Sequence, residues 1–146
     1  MKATPVTTLE PKVKQFLAAP RYAVLATLNP GGSPHLTEMW YGLKGDEVFF
    51  NTTEERQKPR NLARDPRVSL LVAGQKGDPI WEKLQYVRID GTAKLVASGP
   101  AAVDDIVALS VRYDGKEGEA AARASFGKQH RATYVIQIRR VYVKGF

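Results

Sequence analysis

The 146-residue chain carries 22 Lys and Arg against 15 Asp and Glu, a formal charge of +7, with 43% hydrophobic residues and no cysteine. That length suits one domain, residues 1–146, with a single core. The lack of cysteine excludes thiol nucleophiles, disulfides, Cys-ligated zinc and iron–sulfur clusters from the chain's own chemistry.

No stretch approaches the ~18–20 uncharged apolar residues of a membrane span. Glu10, Lys12 and Lys14 interrupt any signal-like run near the start, so a cytoplasmic protein without a membrane partner is expected.

In chain order, Thr8-Leu9-Glu10-Pro11 opens a helix of about two turns, because Val13, Phe16 and Leu17 fall at i, i+3, i+4 and Pro20 ends the pattern. Tyr22–Leu28 (YAVLATL) is continuously apolar and predicts a strand buried on both faces. Asn29-Pro30-Gly31-Gly32-Ser33-Pro34 is a dense turn signal, so His35–Leu43 should return as a second strand. Leu36 and Trp40 would share one face of it, with Glu38 between them, and His35, Thr37, Met39 and Tyr41 the other. Lys44-Gly45-Asp46 turns the chain again into Glu47–Thr52, and the three strands predict an antiparallel meander.

Pro59–Arg64 has room for under two helical turns, with Pro59 at the first helical position and Asp65-Pro66 as the stop. Val68–Ala73 predicts a fourth, buried strand, and Gly74–Lys83 a loop carrying Trp81. Tyr86–Val96 alternates with Val87, Ile89 and Gly91 on one face, and a mid-strand glycine signals a bulge or a close backbone approach. Pro100–Tyr113 reads as a helix with Asp104 and Asp105 in its first turns, and Glu117–Phe126 as a second. Two β-like runs, YVIQI and VYV, close the chain on either side of Arg139-Arg140. Six or seven mostly antiparallel strands with three or four short helices predict a mainly β fold, a small barrel with peripheral helices.

Enzyme signatures are sparse. The chain has no Walker A sequence, dinucleotide fingerprint, nucleophile elbow or zincin motif, and His35 and His130 have no ligand partners nearby, so no metal is expected. One stretch stands apart. In Val48–Pro66 (VFFNTTEERQKPRNLARDP) an apolar strand ends in Asn51, Thr52 and Thr53, and Arg56, Lys58 and Arg60 follow at a helix start. Cations with convergent N–H donors are what phosphate recognition requires. The alternative is a solvated basic face partnered by Glu54 and Glu55. Trp40, Phe49, Phe50, Trp81 and Tyr86 could flank a planar ring or simply pack the core. If the chain is an enzyme, its chemistry is expected to be a cofactor's.

The segment FFNTTEERQKPRNLARDPRVSLLV followed by YVRIDGTAKL, together with YAVLATLNPGGSPHLTEMWYGL, resembles the pyridoxamine 5′-phosphate oxidase-like flavin-binding split barrels. The resemblance covers Phe16 to Val96 well and VIQIRRVYVKGF more loosely. It implies a six-stranded antiparallel split β-barrel, a homodimer with two cofactor sites at the subunit interface. By resemblance, Thr37, Glu38, Met39 and Trp40 run beside the cofactor ring, and Asn51 and Thr52 touch the ring or its ribityl chain. Arg56 matches the family arginine, Lys58 and Arg60 complete the phosphate clamp, and Trp81 or Tyr86 covers the site from the second subunit.

Two departures redirect the reading. Oxidases carry adjacent Arg-Lys, whereas this chain has Arg56-Gln57-Lys58, and it lacks their C-terminal Arg-x-His motif. The R-x-K-x-R-N-L spacing is similar instead to the branch using the deazaflavin coenzyme F420. Its phosphodiester and oligoglutamate tail would suit a basic groove from Arg56, Lys58 and Arg60, extended by Arg64 or Arg67. The expected function is an F420-dependent oxidoreductase acting on a conjugated small-molecule acceptor. The alternatives are an FMN-binding reductase or oxidase-like protein, a non-catalytic F420 or heme-type carrier, and a basic nucleic-acid module. No nucleic-acid motif supports the last.

Overall fold

In the computed structural model, which describes residues 8–75 and 84–146, helix α1 (Pro11–Ala18) precedes strands β1 (Ala23–Leu28), β2 (Pro34–Met39), β3 (Gly42–Lys44) and β4 (Glu47–Thr53). Helix α2 (Gln57–Arg64), β5 (Arg67–Ala73) and β6 (Tyr86–Ser98) follow, then α3 (Pro100–Asp114), α4 (Glu119–Phe126) and β7 (Arg131–Lys144). The strands form one sheet in the order β2-β1-β5-β6-β7-β4-β3, and every pairing is antiparallel. The mainly β architecture with peripheral helices is as expected, although the sheet has seven strands rather than six and β2 and β3 do not close it.

The expected meander is overturned. His35–Leu43 is not one strand: β2 pairs with β1 at one end of the sheet, and β3 pairs with β4 at the other. Tyr41 is the reason. Its side chain is fully buried, with the hydroxyl donating to the Leu17 carbonyl (2.8 Å), and its backbone N–H donates to the Tyr113 hydroxyl (3.2 Å). That N–H is satisfied by a side chain, so the chain turns a corner at Trp40-Tyr41 without leaving an unpaired donor.

The β1–β2 turn is held by the Asn29 N–H to Ser33 O bond (2.9 Å), and Gly31 and Gly32 take φ of +89° and +93° there, where a Cβ would be strained. Strands β1 and β5 alternate instead of burying both faces. Leu25, Leu70 and Val72 are fully buried, whereas Leu71, on the other face, is 41% exposed.

Opposite β6, the C-terminal runs are one continuous strand. Gly91 pairs with Ile138 and Asp90 with Arg140, so Arg139 is the extra residue of a bulge. A Cβ at Gly91 would collide with the Gln137 carbonyl oxygen, so the glycine marks both the bulge and the close approach anticipated for it.

The main core gathers α1 (Val13, Phe16, Leu17) with the inner faces of the strands, including Phe50, Leu25 and Ile136. A second cluster of Phe49, Ile106, Leu109 and Val135 seats α3 on the outer face of β4 and β7, with Trp40, Tyr113 and Phe126 against it. Full burial of a side chain such as Leu109 is worth about 1.5–3 kcal/mol.

Helix α2 starts at Gln57, two residues before the expected Pro59, which costs nothing because a first-turn N–H has no helical partner. Its C-terminal half is tied to the end of β1. Asn61, fully buried, donates to Thr27 Oγ1 (3.0 Å) and Asn29 Oδ1 (3.1 Å), and the Arg64 guanidinium donates to the Leu28 carbonyl. That anchoring leaves the first turn of α2 beside the end of β4. Among the described residues, no helix is long and apolar enough to cross a membrane.

Candidate functional site

The last residues of β4 are polar yet buried, and the tertiary structure uses them unequally. Asn51 is spent inside the protein: its Nδ2 donates to the Ala102 carbonyl (2.8 Å) and Thr133 Oγ1 (2.9 Å), and its Oδ1 accepts from Arg131 Nε (2.8 Å). Thr133 Oγ1 donates onward to Asp105 Oδ2 (2.7 Å), and Asp105 pairs with Lys44 (2.7 Å). Thr52, by contrast, is 3% exposed and its hydroxyl has no partner among the described residues. A buried, unsatisfied hydroxyl costs about 1–3 kcal/mol, so it signals a missing acceptor or donor.

Beside Thr52 lies Lys58, in the first turn of α2 and 6% exposed. Its ammonium contacts only Met39 Sδ, at 3.9 Å, and no carboxylate among the described residues. Burial, reinforced by the charges of Arg56 and Arg131, lowers its pKa to about 8. Arg131, first residue of β7 and 7% exposed, is lowered to about 10, mainly by burial and then by Arg56, with Glu55 acting weakly the other way. Its Nη1 donates to Gln129 Oε1 (2.9 Å) and its guanidinium lies over the Phe126 ring (5.1 Å).

These groups line one open cleft of ≈ 330 Å³. Arg56, Lys58, Arg131, Asn51 and Thr52 make its polar end, and Trp40, Ile106, Leu109, Phe126 and Tyr22 its apolar wall, with Glu38 and Met39 between. Trp40 is held by stacking on Tyr113, centroids 5.1 Å apart and planes 6° from parallel. The donors fit an oxyanion. Two buried cations with no carboxylate ion pair among the described residues, an exposed Arg56, an orphan hydroxyl and the uncapped start of an eight-residue helix all supply hydrogen bonds or positive charge.

Of the residues expected at the site, Glu38, Met39, Trp40, Asn51, Thr52, Arg56 and Lys58 come together here. Thr37 does not line the cleft, though its buried hydroxyl is also unpartnered. Arg60 is exposed on the next turn of α2, Tyr86 sits at the start of β6 opposite Ala73 and Lys144, and Trp81 lies outside the described residues. Arg64 and Arg67 do not extend the basic groove. Arg64 serves the Leu28 carbonyl, and Arg67 pairs with Asp65 (2.7 Å) at a separate groove that it shares with Arg139 and Arg140. Sequence reasoning missed Arg131 and Phe126 as site residues. Arg131 stands just before the apolar run ATYVIQI, a position that becomes informative only once β7 is paired with β4. Among the described residues, no cluster of three His, Asp or Glu could hold a metal.

The antiparallel sheet thus carries a cleft that is cationic at one end and apolar along one wall. Residues 9–145 match the family model described as pyridoxamine 5′-phosphate oxidase, and the chain belongs to that family. It is similar to the conserved hypothetical protein Rv2991 from Mycobacterium tuberculosis, at 30% identity over 99% of this chain and 89% of that one, with a TM-score of 0.77. A solved F420 reductase is 26% identical over 92% of this chain and 98% of its own length, with a TM-score of 0.70. A heme binding protein from Mycobacterium smegmatis matches at 25% identity and a TM-score of 0.64, over 88% of this chain and 50% of that chain.

Proposed function

We propose that the chain is an F420-dependent oxidoreductase that reduces a conjugated C=C bond in a small-molecule acceptor. The observation that carries this is the buried Lys58 ammonium, which has no carboxylate partner among the described residues and lies beside Arg56, Arg131 and the orphan Thr52 hydroxyl. Such an arrangement is unfavourable until an anion enters, and the family and the F420 reductase relative support a phosphate-bearing cofactor as that anion. When bound, reduced F420 supplies a hydride from its C5. Arg56 and Lys58 hold the phosphodiester, with Arg60 supporting them from the exposed face of α2, and the Thr37–Trp40 segment orders the ring, mainly through backbone groups. Ile106, Leu109 and Phe126 would partly exclude water from the apolar wall, and solvent at the open side of the cleft would supply the proton.

The cleft is open on one side, and a second copy of the chain would cover it, with Tyr86 reaching in, to give a homodimer with the cofactor at the subunit interface. A non-catalytic carrier is the second reading, favoured by the heme binding relative. Turnover of reduced F420 against enones and tetrapyrroles separates carrier from enzyme.

The direct test is titration of the apo protein with F420 and with FMN, read by quenching of tryptophan fluorescence, since Trp40 lines the cleft. F420 should bind more tightly, and Lys58→Glu should weaken it more than tenfold. Purification of a yellow, flavin-loaded protein would instead assign FMN. Unchanged F420 affinity in Lys58→Glu would show that the cofactor's anionic group lies elsewhere.

A further inference from the structure

Arg131 enters the cleft from β7 rather than from α2, 73 positions beyond Lys58 in the chain. Its guanidinium is held in one orientation by two neutral acceptors, Asn51 Oδ1 on Nε (2.8 Å) and Gln129 Oε1 on Nη1 (2.9 Å), with the Phe126 ring beneath it. Neither acceptor neutralises its charge, and among the described residues it has no ion pair. Among the described residues Nη2 donates to no atom, and it is not sealed in the interior. A buried guanidinium preorganised by uncharged partners, with one free edge, is suited to charge-assisted hydrogen bonding. A structural arginine this buried would normally be given a carboxylate. Register explains the placement: Arg131 pairs with Thr53 at the end of β4, one residue beyond Thr52, whose hydroxyl is the orphan.

We propose that Arg131 is a third ligand-binding cation, donating from its Nη2 edge to the same oxyanion that Lys58 and Arg56 approach from α2. The anionic group is then held from three elements, α2, β4 and β7, rather than by the α2 side alone. This deepens the cofactor assignment above and rests on its placement of an anion in this cleft, but not on which cofactor carries the anion.

The test compares Arg131→Met, Arg131→Lys and Lys58→Glu with the native chain, titrated with F420 and separately with inorganic pyrophosphate, with thermal unfolding of each. Arg131→Met should bind both probes at least tenfold more weakly, and Arg131→Lys should recover part of the loss. Native-like affinity of Arg131→Met for both probes, alongside lost binding in Lys58→Glu, would overturn the proposal and leave the cofactor reading standing. If the native chain binds pyrophosphate but neither F420 nor FMN, the cofactor reading falls and Arg131 is judged on pyrophosphate alone. No binding of any of the three would remove both. Should Arg131→Met fail to fold, the native protein with 15N-labelled arginine decides the matter. The Arg131 Nε–H resonance, identified by its loss in Arg131→Lys, should shift on adding pyrophosphate, and an unmoved signal overturns the proposal.

Discussion

Replacing Lys58 with methionine should make the ligand-free protein more stable while destroying its anion binding. Methionine keeps the length and apolar character of the lysine stem and removes the ammonium. The magnitude follows from the ammonium's environment, which lowers its pKa from 10.5 to about 8. A depression of that size corresponds to about 3 kcal/mol of unfavourable interaction for the charged form. Because the folded pKa lies below the unfolded one, the full penalty is present below pH 8 and is relieved as pH rises from 8 towards 10.5. Relaxation and water entry reduce it, so Lys58→Met should gain roughly 1–3 kcal/mol at pH 7, or roughly 3–10 °C in Tm. The gap between variant and native chain should shrink by about half at pH 9.5. The assay is thermal unfolding of both proteins at the two pH values, without cofactor, paired with F420 titration. A variant less stable than the native chain at pH 7, or a gap insensitive to pH, would refute the account of Lys58 as a buried, uncompensated cation.

The same ionisation predicts the pH dependence of binding. Anion affinity should be level below about pH 7 and fall as pH rises through 8, by up to tenfold per unit, because only the protonated Lys58 attracts the ligand; calorimetry across pH 6–9.5 checks it. Gly91→Ala should destabilise by about 2–4 kcal/mol, since a Cβ there meets the Gln137 backbone across the bulge; urea denaturation reads the loss, and a shift below about 0.5 kcal/mol would mean that β6 and β7 part easily at this point.

The cleft pairs an energetic cost with a use. Lys58 and Arg131 are buried with no carboxylate ion pair among the described residues, while more exposed cations such as Lys14, Arg67 and Arg123 have carboxylate partners. On the proposed function, stability is held back where the bound anion would supply the missing charge.

How much of this was legible beforehand differs by range of interaction. Local chemistry was readable: Pro11 and Pro100 at helix starts, the Asn29–Pro34 turn, Gly91 as a bulge and the polar end of β4 followed by cations all depend on neighbours in the chain. What the pattern could not carry was partnership. Period-two alternation tells which face of a strand is apolar but not which strand lies beside it. Whether His35–Leu43 stayed whole depended on Tyr41 finding Leu17 and Tyr113, 24 and 72 positions away. Arg64 and Arg67 looked equivalent to Arg56 as cations, yet the path of α2 over β1 turned them to the Leu28 carbonyl and Asp65. Arg131 joined the site only because β7 pairs with β4, which brings it to Asn51 across 80 positions. The sequence by itself therefore determined a polar strand end followed by Arg56 and Lys58, because that requires only consecutive residues. The tertiary structure alone decided which cations face the cleft, because long-range strand order and burial choose each cation's partner.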